Sequence, residues 1–162
     1  MALFDSHLDQ AKANLDFLKR INETINNRYD WQITVCFYVA VHLISGYLAD
    51  KAGKHFQSHS QVLNAINPEG QSSLSISEDA YFAYKSLQNL SRRSRYLIND
   101  KESEREPSDC FLTHSVHFHK ALRYLDEIMT FIESTYPAIE LPVLKIKCIE
   151  LKKGSLKHFD VA

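Results

Sequence analysis

The stretch DWQITVCFYVAVHLISGYLAD, residues 30–50, has no charged side chain between Asp30 and Asp50. At about 100° per residue its side chains divide into two stripes. Ile33, Phe37, Val41, Ile44 and Leu48 form one, which reads as plain core; Trp31, Thr34, Tyr38, His42, Ser45 and Ala49 form the other. A helix without a charged face must be covered all round, by other helices or by lipid. Residues 31 to 49 are just long enough to raise the question of a membrane span. Gln32, Thr34, His42 and Ser45 within the run favour a protein core instead. The stretch therefore predicts the central helix of a bundle. Its His42 needs a buried polar partner, and Gly46 can admit a close neighbour.

Helical periodicity continues on both sides. Upstream, Phe4, Leu8, Ala11, Leu15, Leu18 and Ile25 share one face and Lys12, Asp16, Lys19 and Glu23 lie away from it, the pattern of an amphipathic surface helix. INNRYD then breaks the chain, with Asn27 or Asp30 as caps of the central helix. Downstream, Ser58 and Gln61 match a capping box for a short helix over 62–66, which Pro68 ends. Ser75 and Glu78 match another, opening a helix from Glu78 to Leu97 with acidic residues in its first turn and Arg92, Arg93 and Arg95 in its last. After the polar loop NDKESEREPSD, a cap at Ser108 or Asp109 predicts a fifth helix from Cys110 to Glu133.

The tail, LPVLKIKCIELKKGSLKHFDV, changes period and carries a KKGS turn, so a short C-terminal β-hairpin is expected there. The whole predicts an all-α, up-and-down bundle of four to five helices over residues 1–139, with 140–162 as a tail.

Composition narrows the class. At 162 residues the chain fits one domain, and its formal net charge of −1 exerts no global pull on nucleic acid or anionic lipid. Any nucleic-acid contact needs a local basic patch. The 3 cysteines, Cys36, Cys110 and Cys148, form no CxxC pair, which argues against zinc knuckles and redox dithiols. MALFDSHLDQAK lacks the basic start and apolar run of a signal peptide. A cytoplasmic protein with reduced thiols and no membrane partner is expected.

The helix from Glu78 divides like the central one. Ala83, Leu87, Leu90 and Leu97 read as core, and Tyr81, Tyr84, Gln88, Ser91 and Arg95 as a mixed stripe. If the two mixed stripes face each other, Tyr38, His42, Tyr84, Gln88 and Arg95 line one polar seam. An imidazole and a guanidinium among tyrosines can bind an anion or a base, or move protons. The bland alternative has His42 bonded inside the core and Arg95 paired with a carboxylate. LSRRSRYLIND adds a second candidate, in which Arg92, Arg93 and Arg95 contact phosphate and Tyr96 stacks on a base; the alternative there is a well-charged helix end beside an acidic loop. HSVHFH does not make a metal triad, because His114 and His117 share a helical face and His119 does not. No metal site and no cofactor are expected, and the sequence has no HExxH, GxGxxG, Walker or GxSxG motif.

DWQITVCFYVAVHLISGYLA, HFQSHSQVLNAI and YKSLQNLSRRSRY, in that order between residues 30 and 96, resemble the HEPN (higher eukaryotes and prokaryotes nucleotide-binding) superfamily in its uncharacterised bacterial branches. The resemblance implies a dimeric helical bundle in a nucleotide or RNA context. Many members are metal-independent ribonucleases whose motif is an arginine followed about a turn later by a histidine, paired across a dimer interface. This chain departs from that motif: the next histidine after Arg92, Arg93 and Arg95 is His114, and neither Arg105 nor Arg123 has one close behind. The reading is thus a non-catalytic, homodimeric HEPN-like module that binds RNA, a nucleotide or a protein partner such as a nucleotidyltransferase, in a toxin–antitoxin or defence setting. Two alternatives are a ribonuclease using His42 or His59 with Arg95, and a purely structural dimerisation protein.

Overall fold

The computed structural model describes residues 2–96 and 113–162. Among the described residues five helices run in chain order: α1 Ala2–Thr24, α2 Tyr29–Ala52, α3 His59–Ile66, α4 Glu78–Tyr96 and α5 Ser115–Thr135. Two short strands follow, β1 Leu144–Ile146 and β2 Phe159–Val161. The expected all-α bundle is the fold observed.

The uncharged helix α2 is its axis. α1, α4 and α5 pack on it, and α4 and α5 pack on each other. Phe37 meets Tyr84 near the middle of the α2–α4 contact, at 5.9 Å between ring centroids, and the start of α2 shares a groove with the end of α4. Those two contacts set α4 antiparallel to α2. Tyr29 against Phe118 and Tyr47 against Phe131 set α5 parallel to it. By length and composition α2 could cross a membrane, and 78% of its most apolar stretch is buried in the bundle.

α1 crosses α2 closely at Gly46, where an added Cβ would lie 3.3 Å from the His7 Cβ and 3.5 Å from the Phe4 ring. Ala11, Leu15 and Leu18 are buried as the periodicity predicts, but Ile25 lies beyond the helix end and is exposed.

The caps differ in part from expectation. Ser58 Oγ accepts from the Gln61 N–H at 3.2 Å, as predicted for α3. The α4 cap is Ser77, not Ser75: Ser77 Oγ accepts from the Ala80 N–H at 3.3 Å. α2 takes Arg28 as N-cap, and Asp30 falls inside the first turn. The caps expected at Ser108 or Asp109 lie outside the described residues. α5 is capped by His114, whose backbone N–H donates to His117 Nδ1 at 3.0 Å.

The tail is stitched into the bundle. Leu141, Leu144, Ile146, Leu151 and Phe159 join the core. The expected β-hairpin is corrected to a parallel pair, with Leu144 opposite Phe159 and Ile146 opposite Val161. A tight turn can join only antiparallel strands. Here the connection through residues 147–158 crosses over, and the KKGS turn lies within it, with Gly154 at φ 68°.

Two polar clamps hold the tail. Asn22, fully buried, donates to Gln32 Oε1 (2.8 Å) and the Lys147 carbonyl (3.0 Å), and accepts from the Lys147 N–H (2.7 Å). His158, 1% exposed, sets Nδ1 2.9 Å from Asp126 Oδ1 and Nε2 3.1 Å from Glu133 Oε2 on α5.

Candidate functional site

Where α2 begins and α4 ends, the two helices leave a groove of about 320 Å³ lined by Arg28, Asp30, Trp31, Thr34, Ser94, Arg95 and Tyr96. The antiparallel packing explains this meeting of residues more than sixty positions apart in sequence. Trp31 is 54% exposed and Tyr96 62%, far more than large aromatics in the core. The Arg95 guanidinium lies 5.3 Å from the Tyr96 ring centroid, and its Nε donates to the Ser91 carbonyl one turn back at 3.4 Å. On the opposite wall Arg28 forks onto Asp30 through Nε at 3.1 Å and Nη2 at 2.8 Å. That fork, set against partial burial, holds the Asp30 carboxyl below the usual range. Thr34 Oγ1 is occupied, donating to the Asp30 carbonyl at 2.8 Å. Ser94 is different: it is 3% exposed, and its Oγ has no hydrogen-bond partner among the described residues.

His59 stands close by, as the first residue of α3. Its ring centroid lies 5.2 Å from that of Phe37. Burial lowers its affinity for a proton, and the nearby Arg95 guanidinium lowers it further, which favours the neutral imidazole.

No family model, curated protein or solved structure matches this chain.

The polar seam expected from the paired mixed stripes is split. Tyr84 is 1% exposed beside Phe37, and burial raises its phenol above the usual range. Tyr38 is exposed, and Gln88 is half-buried one turn along α4 from Tyr84. His42 faces α1 and places Nδ1 3.1 Å from His7 Nδ1. It lies about three helical turns beyond Trp31 on α2, roughly 16 Å along the axis, whereas Arg95 lines the groove beside Trp31. The physical reason is that α2 has three helical neighbours, and each takes part of its mixed stripe. The imidazole near Arg95 belongs to His59.

The arginines also divide. Arg92 is exposed, and Arg93 turns to a second groove of about 310 Å³ between α4 and α5, with Ser86, Asn89, His117 and Lys120. Of Arg92, Arg93, Arg95 and Tyr96, the last two line the first. Sequence reasoning did not select Arg28, Asp30, Trp31, Thr34 or Ser94 for a site. Trp31 and Thr34 were legible as members of the mixed stripe; Ser94 carried no signal, because its importance is a missing hydrogen bond. Among the described residues no three histidine, cysteine, aspartate or glutamate side chains are placed to hold a metal ion.

A groove with two exposed aromatic faces and the Arg95 guanidinium beside them suits a planar heterocycle joined to an anionic group. Aromatic stacking and guanidinium contact together are the usual means of holding unpaired bases and their phosphates.

Proposed function

We propose that the chain is a non-catalytic HEPN-like module that binds single-stranded RNA or a nucleotide in the groove between α2 and α4. The observation that carries the reading is the convergence of Trp31, Arg95 and Tyr96 on one groove. The resemblance to HEPN proteins supports the same ligand class, and the missing Arg…His motif favours binding without cleavage. Stacking on Trp31 and Tyr96 would contribute about 1–3 kcal/mol per base, with Arg95 near a phosphate giving salt dependence.

Trp31 is the chain's single tryptophan, so intrinsic fluorescence reports directly on the groove. Titration with a short unstructured RNA at low salt is expected to quench Trp31, and rising salt to weaken the effect. Tyr96→Ala and Arg95→Ala should each reduce affinity several-fold. Constant Trp31 emission, together with constant anisotropy of a labelled RNA, would remove the reading.

The nearness of His59 to Arg95 favours one second reading, metal-independent RNA cleavage. A neutral imidazole can take the 2′-hydroxyl proton while a guanidinium stabilises phosphate charge. Cleavage of an RNA substrate that is lost in both His59→Ala and Arg95→Ala would establish it; absence of cleavage by the wild-type chain under the same conditions would dismiss it.

A further inference from the structure

A second cluster lies away from this groove, where the start of α1 meets α2 and the turn that follows it. His7 Nδ1 is 3.1 Å from His42 Nδ1, and His7 Nε2 is 3.4 Å from His55 Nδ1. Ring centroids are 5.4 and 5.2 Å apart, so the three imidazoles form a continuous chain with His7 in the middle. A neutral imidazole has one N–H and one lone pair. His7 therefore donates to one neighbour and accepts from the other, and the neutral chain is satisfied in either direction. One added proton is also accommodated, because a doubly protonated His7 donates to both partners. A second proton cannot be: it must sit on an adjacent ring about 5 Å away.

Among the described residues, the carboxylates found paired with an imidazole are Asp126 and Glu133, both on His158 and not on this chain of three. One turn to either side, His7 is flanked on α1 by Leu3, Phe4, Gln10 and Ala11, and His42 is flanked on α2 by Tyr38, Val39, Ser45 and Gly46. α5 contributes Ile132 to the small apolar gap that His42 shares with Phe4, Leu8, Leu43 and Gly46. Further along α2, Asp50 is engaged by Lys51 at 3.2 Å and by the Tyr136 hydroxyl at 2.7 Å. The turn supplies only another cation, Lys54, whose Nζ lies over the Phe56 ring.

We propose that His7, His42 and His55 form a proton-sensitive latch, which fastens the first turns of α1 and the turn at 53–58 to α2 at neutral pH and releases them on acidification. The latch sits where two helices and a turn meet. There α1 approaches α2 at Gly46, the Phe4 ring lies 4.7 Å from that of Tyr136 just past α5, and α2 ends at Gly53 in the left-handed region, φ 62°. The direction follows from linkage. Burial, then His42 and His55, holds His7 below the ordinary imidazole value of 6.5, and burial does the same for His42. The released state binds more protons than the fastened one, so the latch is at full strength above about pH 6.5 and weakens as pH falls below it.

Hydrogen exchange of the full chain at pH 7.5 and 5.5, corrected for intrinsic rates, tests this locally. His59 and His117 are also held low and would blur any global measurement. In the wild type, peptides covering 5–12 and 50–58 are expected to lose protection by at least about threefold at pH 5.5, while the middle of α5 does not change. His7→Gln retains hydrogen bonding without a titrating ring and should abolish the pH effect. His55→Gln, at the exposed end of the chain, should reduce it if His7→Gln does not fold. Equal protection at both pH values in the wild type, or a pH effect undiminished in His55→Gln, would overturn the proposal.

Discussion

Replacing His158 tests how the tail is held. The side chain is 1% exposed and bridges Asp126 and Glu133 through its two ring nitrogens. His158→Ala removes two ring-nitrogen contacts to carboxylates, each worth about 1.5–3 kcal/mol where the nitrogen donates. The carboxylates are not abandoned. Asp126 keeps the backbone N–H groups of residues 157 and 158, at 3.1 and 2.7 Å, and Glu133 keeps the Lys157 ammonium and the Leu141 N–H. That retention argues for the lower half of the combined range, to which loss of the buried ring adds. The expected cost is about 4 kcal/mol, or roughly 8–16 °C in Tm for a chain of this size. Urea unfolding followed by far-UV circular dichroism measures it. A pH series adds a second readout. Burial raises the Asp126 and Glu133 carboxyls, but hydrogen bonds from the tail outweigh it and leave Asp126 below 3.8 and Glu133 at about 2. The folded state therefore binds fewer protons than the unfolded one, and this stabilisation is present above pH 4.5 and lost as pH falls toward 2. His158→Ala should make that acid-side loss shallower. A cost below about 1 kcal/mol, with an unchanged acid limb, would show that the tail is held by its apolar residues alone.

Three further outcomes follow from the same geometry. Asn22→Ala removes three buried hydrogen bonds joining α1, α2 and the tail, and should cost about 2–4 kcal/mol by urea unfolding; Asn22→Asp should not rescue it, because a carboxylate cannot donate to Gln32 or the Lys147 carbonyl. Ser94→Ala removes a buried hydroxyl with no hydrogen-bond partner among the described residues, so it should leave stability unchanged or raise it by about 1 kcal/mol by urea unfolding; a clear loss of stability would mean that the hydroxyl has a structural partner. Burial pushes the Cys36 thiol above its usual range and Cys148 to about 11, so iodoacetamide at pH 8 should leave both largely unmodified in the native chain, as read by peptide mass mapping, and label both in urea.

The bundle was legible because its signals are local. An uncharged run of helical length, amphipathic periods beside it and the Ser58 cap are consequences of neighbours in sequence. The α4 cap slipped from Ser75 to Ser77 because both serines offer the same chemistry two residues apart and only backbone geometry chooses between them. The tail was misread for a different reason. Alternation predicts strands, but whether they pair parallel or antiparallel depends on where each is anchored, and the anchor of β2 is His158 on Asp126 and Glu133, more than twenty residues away in sequence. The use of His114 in HSVHFH as a helix cap was hidden, since histidine seldom fills that position.

The candidate site was the hardest to see, and α2 shows why. Each polar residue of its uncharged run marks a seam with a different neighbour. Gln32 meets Asn22 of α1 and, through it, the tail; Thr34 meets the end of α4; His42 meets His7 of α1 and, through it, the turn at His55. A stripe drawn on one helix therefore groups residues that three packing partners then separate. Residues that stay together are those at a helix end, where, among the described residues, Trp31 of α2 and Tyr96 of α4 are exposed along one groove. The midpoint of a buried helix is a poor place for a ligand, because every polar group there must already be satisfied for the bundle to form. His42 meets that requirement inside the fold, with His7, and this is why the RNA reading rests on the groove and not on the histidine at the centre of the run.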